Sequence, residues 1–337
     1  MSRLKEFAIN AGVIVATATM IAAALEYAIV PIADDGMQYD LEMWKYASQV
    51  KRVSANPERG HEHRPNAQAR LMGVDVTTNA LGLRDRQIDV QRKPGTTRVL
   101  MLGDSITFGW GVAQDLTVSQ RLDRALRPEG VEVINSGVGN YNTRMEAEYF
   151  LAEGYKLKPD IVVLNYFIND AEPIPSYDNS FLEKHSKAFV YFSSRWDAAV
   201  RSVAGSGQQT DWKTYYRGLY DDRVTPGGWT GAEKAIERVA AYCRENKIPF
   251  LIVDYPELRE LKPYPFADVP ARLRALSERL SVPFIDLLPS VQNEPPASLW
   301  VTVPDPHPNA RATELFAAAL LAPIREAVAA VRAKPAT

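Results

Sequence analysis

From residue 96 onward, short apolar runs alternate with helix-like stretches, and this alternation restricts the fold more than any other property of the chain. The runs are Arg98–Leu102, Val131–Asn135, Ile161–Asn165, Phe250–Asp254 and Val282–Asp286. Helix-like stretches lie between most of them, at Leu116–Leu126, Arg144–Lys156, Ala232–Asn246 and Pro270–Leu280, and Ala310–Ala333 closes the series. Two of these carry capping-box signatures, Thr143-x-x-Glu146 and Thr230-x-x-Glu233, and Thr117-x-x-Gln120 is a weaker third. Continuously apolar strands separated by helices form a parallel sheet covered on both faces. Ligands of such sheets bind beyond the carboxyl ends of the strands.

The first strand ends in an unusual way. In RVLMLGDSITFGWG the apolar run stops at Gly103-Asp104-Ser105, so an acid and a hydroxyl stand where ligands of such a sheet bind. A free serine hydroxyl is a poor nucleophile and needs a base, an oxyanion site and a rigid perch. Of the four histidines, His61 and His63 lie in a polar connector and His185 in an interrupting stretch. His307, in VPDPHPNARATELF, lies beyond the last strand and directly before the last helix, which brings it to the carboxyl ends. Asp305, two residues earlier, is placed to orient one ring nitrogen while the other faces Ser105. The amide of Ser105 is one candidate oxyanion donor. The second strand ends in VINSGVGNYNT, where Gly137 and Gly139 permit close backbone approach, and the third ends in VVLNYFINDAE, where Asn169 offers an amide side chain.

These blocks resemble those of the GDSL, or SGNH, hydrolase superfamily, whose hallmark Ser, Gly, Asn and His stand one in each of four blocks. Gly103-Asp104-Ser105-Ile106 matches the first. In the second, Asn140 stands where relatives have their last glycine and Gly139 comes one place early; Gly139 is the expected donor and Asn140 its competitor. In the third, Phe167-Ile168-Asn169-Asp170 keeps the asparagine without the family's glycine, and in the last Asp305-Pro306-His307 is one residue shorter than Asp-x-x-His. The resemblance covers roughly residues 79–322, including the lead-in NALGLRD. It implies a three-layer α/β/α sandwich around a parallel five-stranded sheet of flavodoxin-like SGNH type. It also implies a serine esterase with Ser105, His307 and Asp305 as catalytic residues and Ser105, Gly139 and Asn169 around the oxyanion. Asn140 and Asp104 are possible substrate contacts, although Asp104 and Asp170 also read as structural groups bonding local backbone. No cofactor or metal is required. The implied substrate is an acyl ester, with O-acetyl groups of cell-surface carbohydrate as the leading guess. The alternatives are an O-acyltransferase on the same fold, or a catalytically silent membrane-anchored scaffold or binding subunit of a larger membrane complex.

The N-terminus has its own constraint. Phe7–Leu25 is a run of 19 uncharged residues, near the ~20 needed to span a bilayer and longer than the ~7–15 of a secretory apolar core. Arg3 and Lys5 precede it, while Asp34, Asp35 and Asp40 follow. The cationic end stays in the cytoplasm, which puts the remainder on the periplasmic or extracytoplasmic side. A cleaved signal peptide is the competing reading and exports the same domain. In the larger-complex alternative, Asn10 or Thr17 would contact a membrane-protein partner. The expected organisation is an anchor at 1–32, a connector and lead-in at 33–95 that becomes ordered from about Leu71, and the hydrolase-like domain at 96–337. An insertion at about 171–228 is expected as a lid or substrate wall, or as an ordinary helical excursion capping the sheet.

Several features point away from other chemistry. Lys and Arg number 39 against 41 Asp and Glu, which gives no electrostatic reason for nucleic-acid binding. Cys243 is the single cysteine and reads as a buried inert thiol. His61-Glu62-His63 lacks a third ligand at helpful spacing and reads as loop. Trp110, Trp212 and Trp229 are core residues or sugar-stacking platforms. The glycines at 103, 109 and 111 do not have phosphate-loop spacing.

Overall fold

The computed structural model describes residues 3–175, 180–203, 212–303 and 305–333, the side chains of 197–199 and 201–203 excepted. Parts of the expected insertion, 176–179 and 204–211, therefore lie outside the described residues. The chain divides into two compact units, Met1–Ser48 with Asp178–Gln209, and Gln49–Tyr177 with Thr210–Thr337.

The first unit opens with α1, a continuous helical run over Arg3–Ala33 that is long and apolar enough to cross a membrane. Its first 22 residues bury no side chain. A short α2, Tyr39–Lys45, follows, and the unit is completed by α6, Phe181–His185, and α7, Lys187–Val203. Val30, Leu41 and Ala188 form its small buried core.

The second unit begins with two antiparallel hairpins. β1 (Lys51–Val53) pairs with β2 (His61–His63), and β3 (Gln68–Leu71) with β4 (Val74–Thr77). Within this unit, order thus starts about twenty residues before the expected Leu71, because His61 and His63 alternate inward across a strand that polar composition alone disguises.

The main sheet contains β5 (Thr97–Leu102), β6 (Val131–Asn135), β7 (Ile161–Phe167), β8 (Phe250–Tyr255) and β9 (Phe284–Asp286). All are parallel, in the spatial order β6-β5-β7-β8-β9. The expected fold class is therefore present. β9 starts two residues after Val282 because Pro283 has no N–H to give a ladder.

Strand alternation feeds two cores. Val99 and Met101 of β5 join Ile161 and Val163 of β7 beneath α4 (Val118–Leu126) and α12 (Ala310–Arg332). Leu100 and Leu102 join Val162 and Leu164 beneath α5 (Thr143–Ala152), α9 (Trp229–Glu245) and α10 (Asp268–Leu280). Each fully buried Leu, Ile or Phe in these layers contributes ~1.5–3 kcal/mol relative to exposure.

None of the three expected capping boxes closes. α5 is capped one residue earlier by Asn142, whose Oδ1 accepts from Met145 N at 3.0 Å, and the Glu146 side chain turns into the interior instead. α9 follows Gly228 without a side-chain cap, and Glu233 pairs with Arg279. Thr117 does cap α4, accepting from Gln120 N at 3.3 Å, but the Gln120 side chain is drawn to Asp85. For Glu233 and Gln120 a tertiary partner outcompetes the local bond, whereas Glu146 is buried without a hydrogen-bond partner.

Candidate active site

Strand order reverses on either side of β5, so the carboxyl ends of β5, β6 and β7 flank a topological switch point. β5 leads through Gly103, where a Cβ would stand 2.1 Å from Thr107 Oγ1. No other residue fits there. Asp104 then caps the four-residue helix α3 (Ser105–Phe108), with its Oδ1 accepting from Ile106 N at 2.8 Å. Ser105 is thus the first helical residue, its hydroxyl at the strand edge. The turn beyond it is held by Arg84, whose buried guanidinium donates to the carbonyls of Phe108, Gly109 and Val112 at 2.5–3.0 Å.

Ser105 Oγ lies 2.9 Å from His307 Nε2 and 3.4 Å from Asp104 Oδ2. A hydroxyl has one hydrogen, and the shorter contact is the better bond. His307 Nδ1 in turn lies 2.5 Å from Asp305 Oδ1, which also accepts the His307 backbone N–H at 3.1 Å. The short Asp-Pro-His spacing therefore reaches the ring. Its loop is closed by the Trp300–Pro308 bridge and by Val301 N donating to His307 O at 2.9 Å. Val301 packs onto Gly111, where a Cβ would meet its Cγ1 at 2.4 Å.

The second carboxylate oxygen of Asp305 has a partner that the sequence reading missed. Trp110 Nε1 donates to Asp305 Oδ2 at 2.9 Å, and the indole is only 2% exposed. This placement removes Trp110 as a sugar platform. The available signal was an aromatic donor five residues past a GDS turn; a buried indole N–H requires an acceptor. Burial pushes the Asp305 carboxyl up, but the hydrogen bond and charge of His307 outweigh it and hold the group below its ordinary value.

The turn after β6 carries Gly139 and Asn140. Asn140 has φ +64°, the left-handed conformation a family glycine would adopt. His61 Nε2 donates to the Gly139 carbonyl at 2.9 Å, and Lys51 Nζ donates to Asn140 Oδ1 at 2.6 Å. Tyr141 Oη closes the clamp, donating to His61 O at 2.6 Å. The β1–β2 hairpin thus grips this turn. His61 and His63 are buried strand residues rather than loop residues. Burial, followed by the charge of Lys51, drives His61 down to about 2, so its ring is a neutral donor. Glu62 faces the other way and pairs with Arg52 and Arg59. Among the described residues no group of three or more His, Cys, Asp or Glu is arranged to hold a metal.

Asn169 lies on the turn after β7, and its carboxamide is close enough to Asp104 to oppose the rise that burial imposes on that carboxyl. Phe167, standing in place of the family glycine, has φ −124° and ψ 157°, extended backbone that any residue adopts. Asp170 Oδ2 accepts from Phe167 N at 2.9 Å and so braces the turn. Asp104 is 1% exposed and serves its own helix cap. Trp212 packs edge-on against Phe266, and Trp229 stacks on Tyr220. Burial pushes the Cys243 thiol up to about 12.

Comparison with solved structures returns, among others, TesA, at 13% identity with 68% of this chain and 99% of that chain covered and a TM-score of 0.46. It also returns a mutant of Axe2, an acetyl-xylooligosaccharide esterase from Geobacillus Stearmophilus, at 19% identity with 69% and 96% covered and a TM-score of 0.44. A GDSL-like lipase from Bacteroides thetaiotaomicron matches at 16% identity, with 70% and 92% covered and a TM-score of 0.40. No curated protein sequence matches the chain. The profile of the GDSL-like Lipase/Acylhydrolase family matches residues 101–315, from the strand that delivers Ser105 to the helix that follows His307. On that match, which spans well over half of its length, the chain belongs to the GDSL-like Lipase/Acylhydrolase family.

Proposed function

We propose that the chain is a serine acyl-ester hydrolase in which Ser105 attacks, His307 transfers the proton and Asp305 orients the imidazole. The observation that supports this reading is the hydrogen-bonded series Ser105 Oγ–His307 Nε2 at 2.9 Å and His307 Nδ1–Asp305 Oδ1 at 2.5 Å. His307 takes the Ser105 proton as Oγ bonds to the ester carbonyl, whose π electrons move onto oxygen. The tetrahedral species collapses, the C–O bond breaks, and His307 protonates the departing alcohol. Water then repeats the sequence on the acyl-serine and releases the acid. The Ser105 amide and the carboxamide N–H of Asn169 hold the oxyanion. For the third donor, the left-handed φ of Asn140 and the Gly139 carbonyl tied to His61 favour the amide of Asn140 over that of Gly139. One such donor is worth ~3–4 kcal/mol of the barrier.

The reading extends to an anchored domain on the extracytoplasmic side that acts on O-acetyl groups of cell-surface carbohydrate. The anchor is α1, of spanning length and apolar composition. Passing the acyl group to a sugar hydroxyl instead of water would make the same site an O-acyltransferase. A fluorophosphonate probe should label the wild type, and Ser105→Ala and His307→Ala should each prevent labelling and hydrolysis of p-nitrophenyl acetate. Full turnover by Ser105→Ala removes the mechanism. Acetate released from an acetylated polysaccharide, compared with acetyl gained by an acceptor sugar, separates hydrolysis from transfer. Protease access from outside spheroplasts tests the orientation.

A further inference from the structure

The first unit carries an apolar stripe that its own core does not use. On α7 the exposed side chains Phe189, Phe192, Trp196 and Val200 follow one another at spacings of three, four and four, so they share one face. Trp196 is 70% exposed. Phe181 and Leu182 on α6 are exposed as well. The inward face of α7 is separate: Ala188 and Tyr191 pack with Val30 and Leu41, and Arg195 lies over the Tyr191 ring and donates to Gln38.

The position of this stripe is set by one residue. Phe7–Leu25 spans about 28 Å at 1.5 Å per residue, close to the ~30 Å hydrocarbon thickness of a bilayer. Glu26 is the first charge beyond it. Its Oε2 accepts from Ser186 Oγ at 2.8 Å and from Ala188 N at 3.1 Å, and its Oε1 accepts from Lys187 N at 3.2 Å. The start of α7 is therefore tied to the point where the apolar run ends. Lys184 on α6 and Lys187 at the start of α7 stand near the point where the uncharged run ends and suit phosphate headgroups.

We infer that α6 and α7 form a membrane-surface element whose Phe189, Phe192, Trp196 and Val200 enter the headgroup region of the bilayer that α1 spans. The inference rests on the anchor reading above. Phe and Trp next to basic residues are what an interfacial helix presents. The element would hold the chain leaving the membrane at a defined depth and direction.

The test places nitroxides on the full-length protein in nanodiscs of phosphatidylcholine and phosphatidylglycerol. Labels at Trp196→Cys and Phe192→Cys read the stripe, Ser194→Cys reads the remainder of the helix, and Ile14→Cys reads the span. Cys243 is buried and does not compete. The stripe labels should collide with oxygen and be protected from a water-soluble nickel reagent, at a depth just below the phosphates, while Ser194→Cys stays nickel-accessible. Nickel access at the stripe overturns the inference. Protection from both reagents also overturns it, because it indicates a protein cover. If the Ile14→Cys label is nickel-accessible too, the anchor reading fails along with it.

Discussion

A single indole N–H joins the turn after Ser105 to the loop that carries His307. Asp305 is almost wholly buried, and one of its oxygens depends on Trp110 while the other serves His307. Trp110→Phe keeps most of the ring packing and strips that donor. An ionised buried acceptor left short of a partner costs ~1–3 kcal/mol, or about five- to 150-fold in rate if the cost falls on the transition state. We expect kcat for p-nitrophenyl acetate to drop within that range with KM nearly unchanged. Replacement by a benzothienyl analogue, the same shape without the N–H, should reproduce the loss. Equal kcat for wild type and both replacements would show that the contact is only packing. Ser105, His307 and Asn169 were legible as candidates because each residue type has its chemistry built in. Trp110 was not, because an indole acquires a role only from the acceptor that folding places beside it.

At the scale of elements, the β1–β2 hairpin contributes more than a lead-in. It presents His61 and Lys51 to the turn after β6 and fixes the Gly139–Asn140 peptide. His61→Phe fills a similar volume without the donor and frees the Gly139 carbonyl. Loss of one neutral hydrogen bond of ~0.5–1.5 kcal/mol should lower kcat by about two- to tenfold. Fluorophosphonate labelling of Ser105 should persist, though more slowly. An unchanged labelling rate and kcat would show that the turn keeps its shape without the clamp. The main-sheet strands were readable because both faces are buried and each, save β9, has five or more residues that are mostly apolar. The hairpin was not, since three-residue strands of His, Glu, Lys and Arg give no apolar alternation. The cap of α5 falls one position before the expected one because Asn142 and Thr143 are both good caps and the Glu146 side chain is buried rather than turned back to the helix start.

Over the whole molecule, the interior behind the site stores acidity. Glu146 is 1% exposed, and neither carboxylate oxygen has a hydrogen-bond partner. Burial, with the charge of Asp104 second, pushes its carboxyl well above the ordinary value, and Asp170 is raised by burial and by Glu146. Between the ordinary and the raised values, the folded chain binds more protons than the unfolded one. Stability must therefore fall as pH rises through that window. Glu146→Gln should raise Tm at neutral pH and flatten the decline toward alkaline pH, with the two proteins converging in melts below the ordinary carboxylate range. Parallel melting curves at every pH would refute the buried neutral acid.

What the sequence determined by itself was the parallel α/β layering and the identities of the reactive groups, because apolar periodicity and functional-group chemistry are local properties of a chain. Which glycine-like position takes a left-handed φ, which donor steadies Asp305, and which charges are buried without partners were decided only by the tertiary structure. Those outcomes depend on distances between segments some 80 to 200 residues apart, and no local preference encodes them.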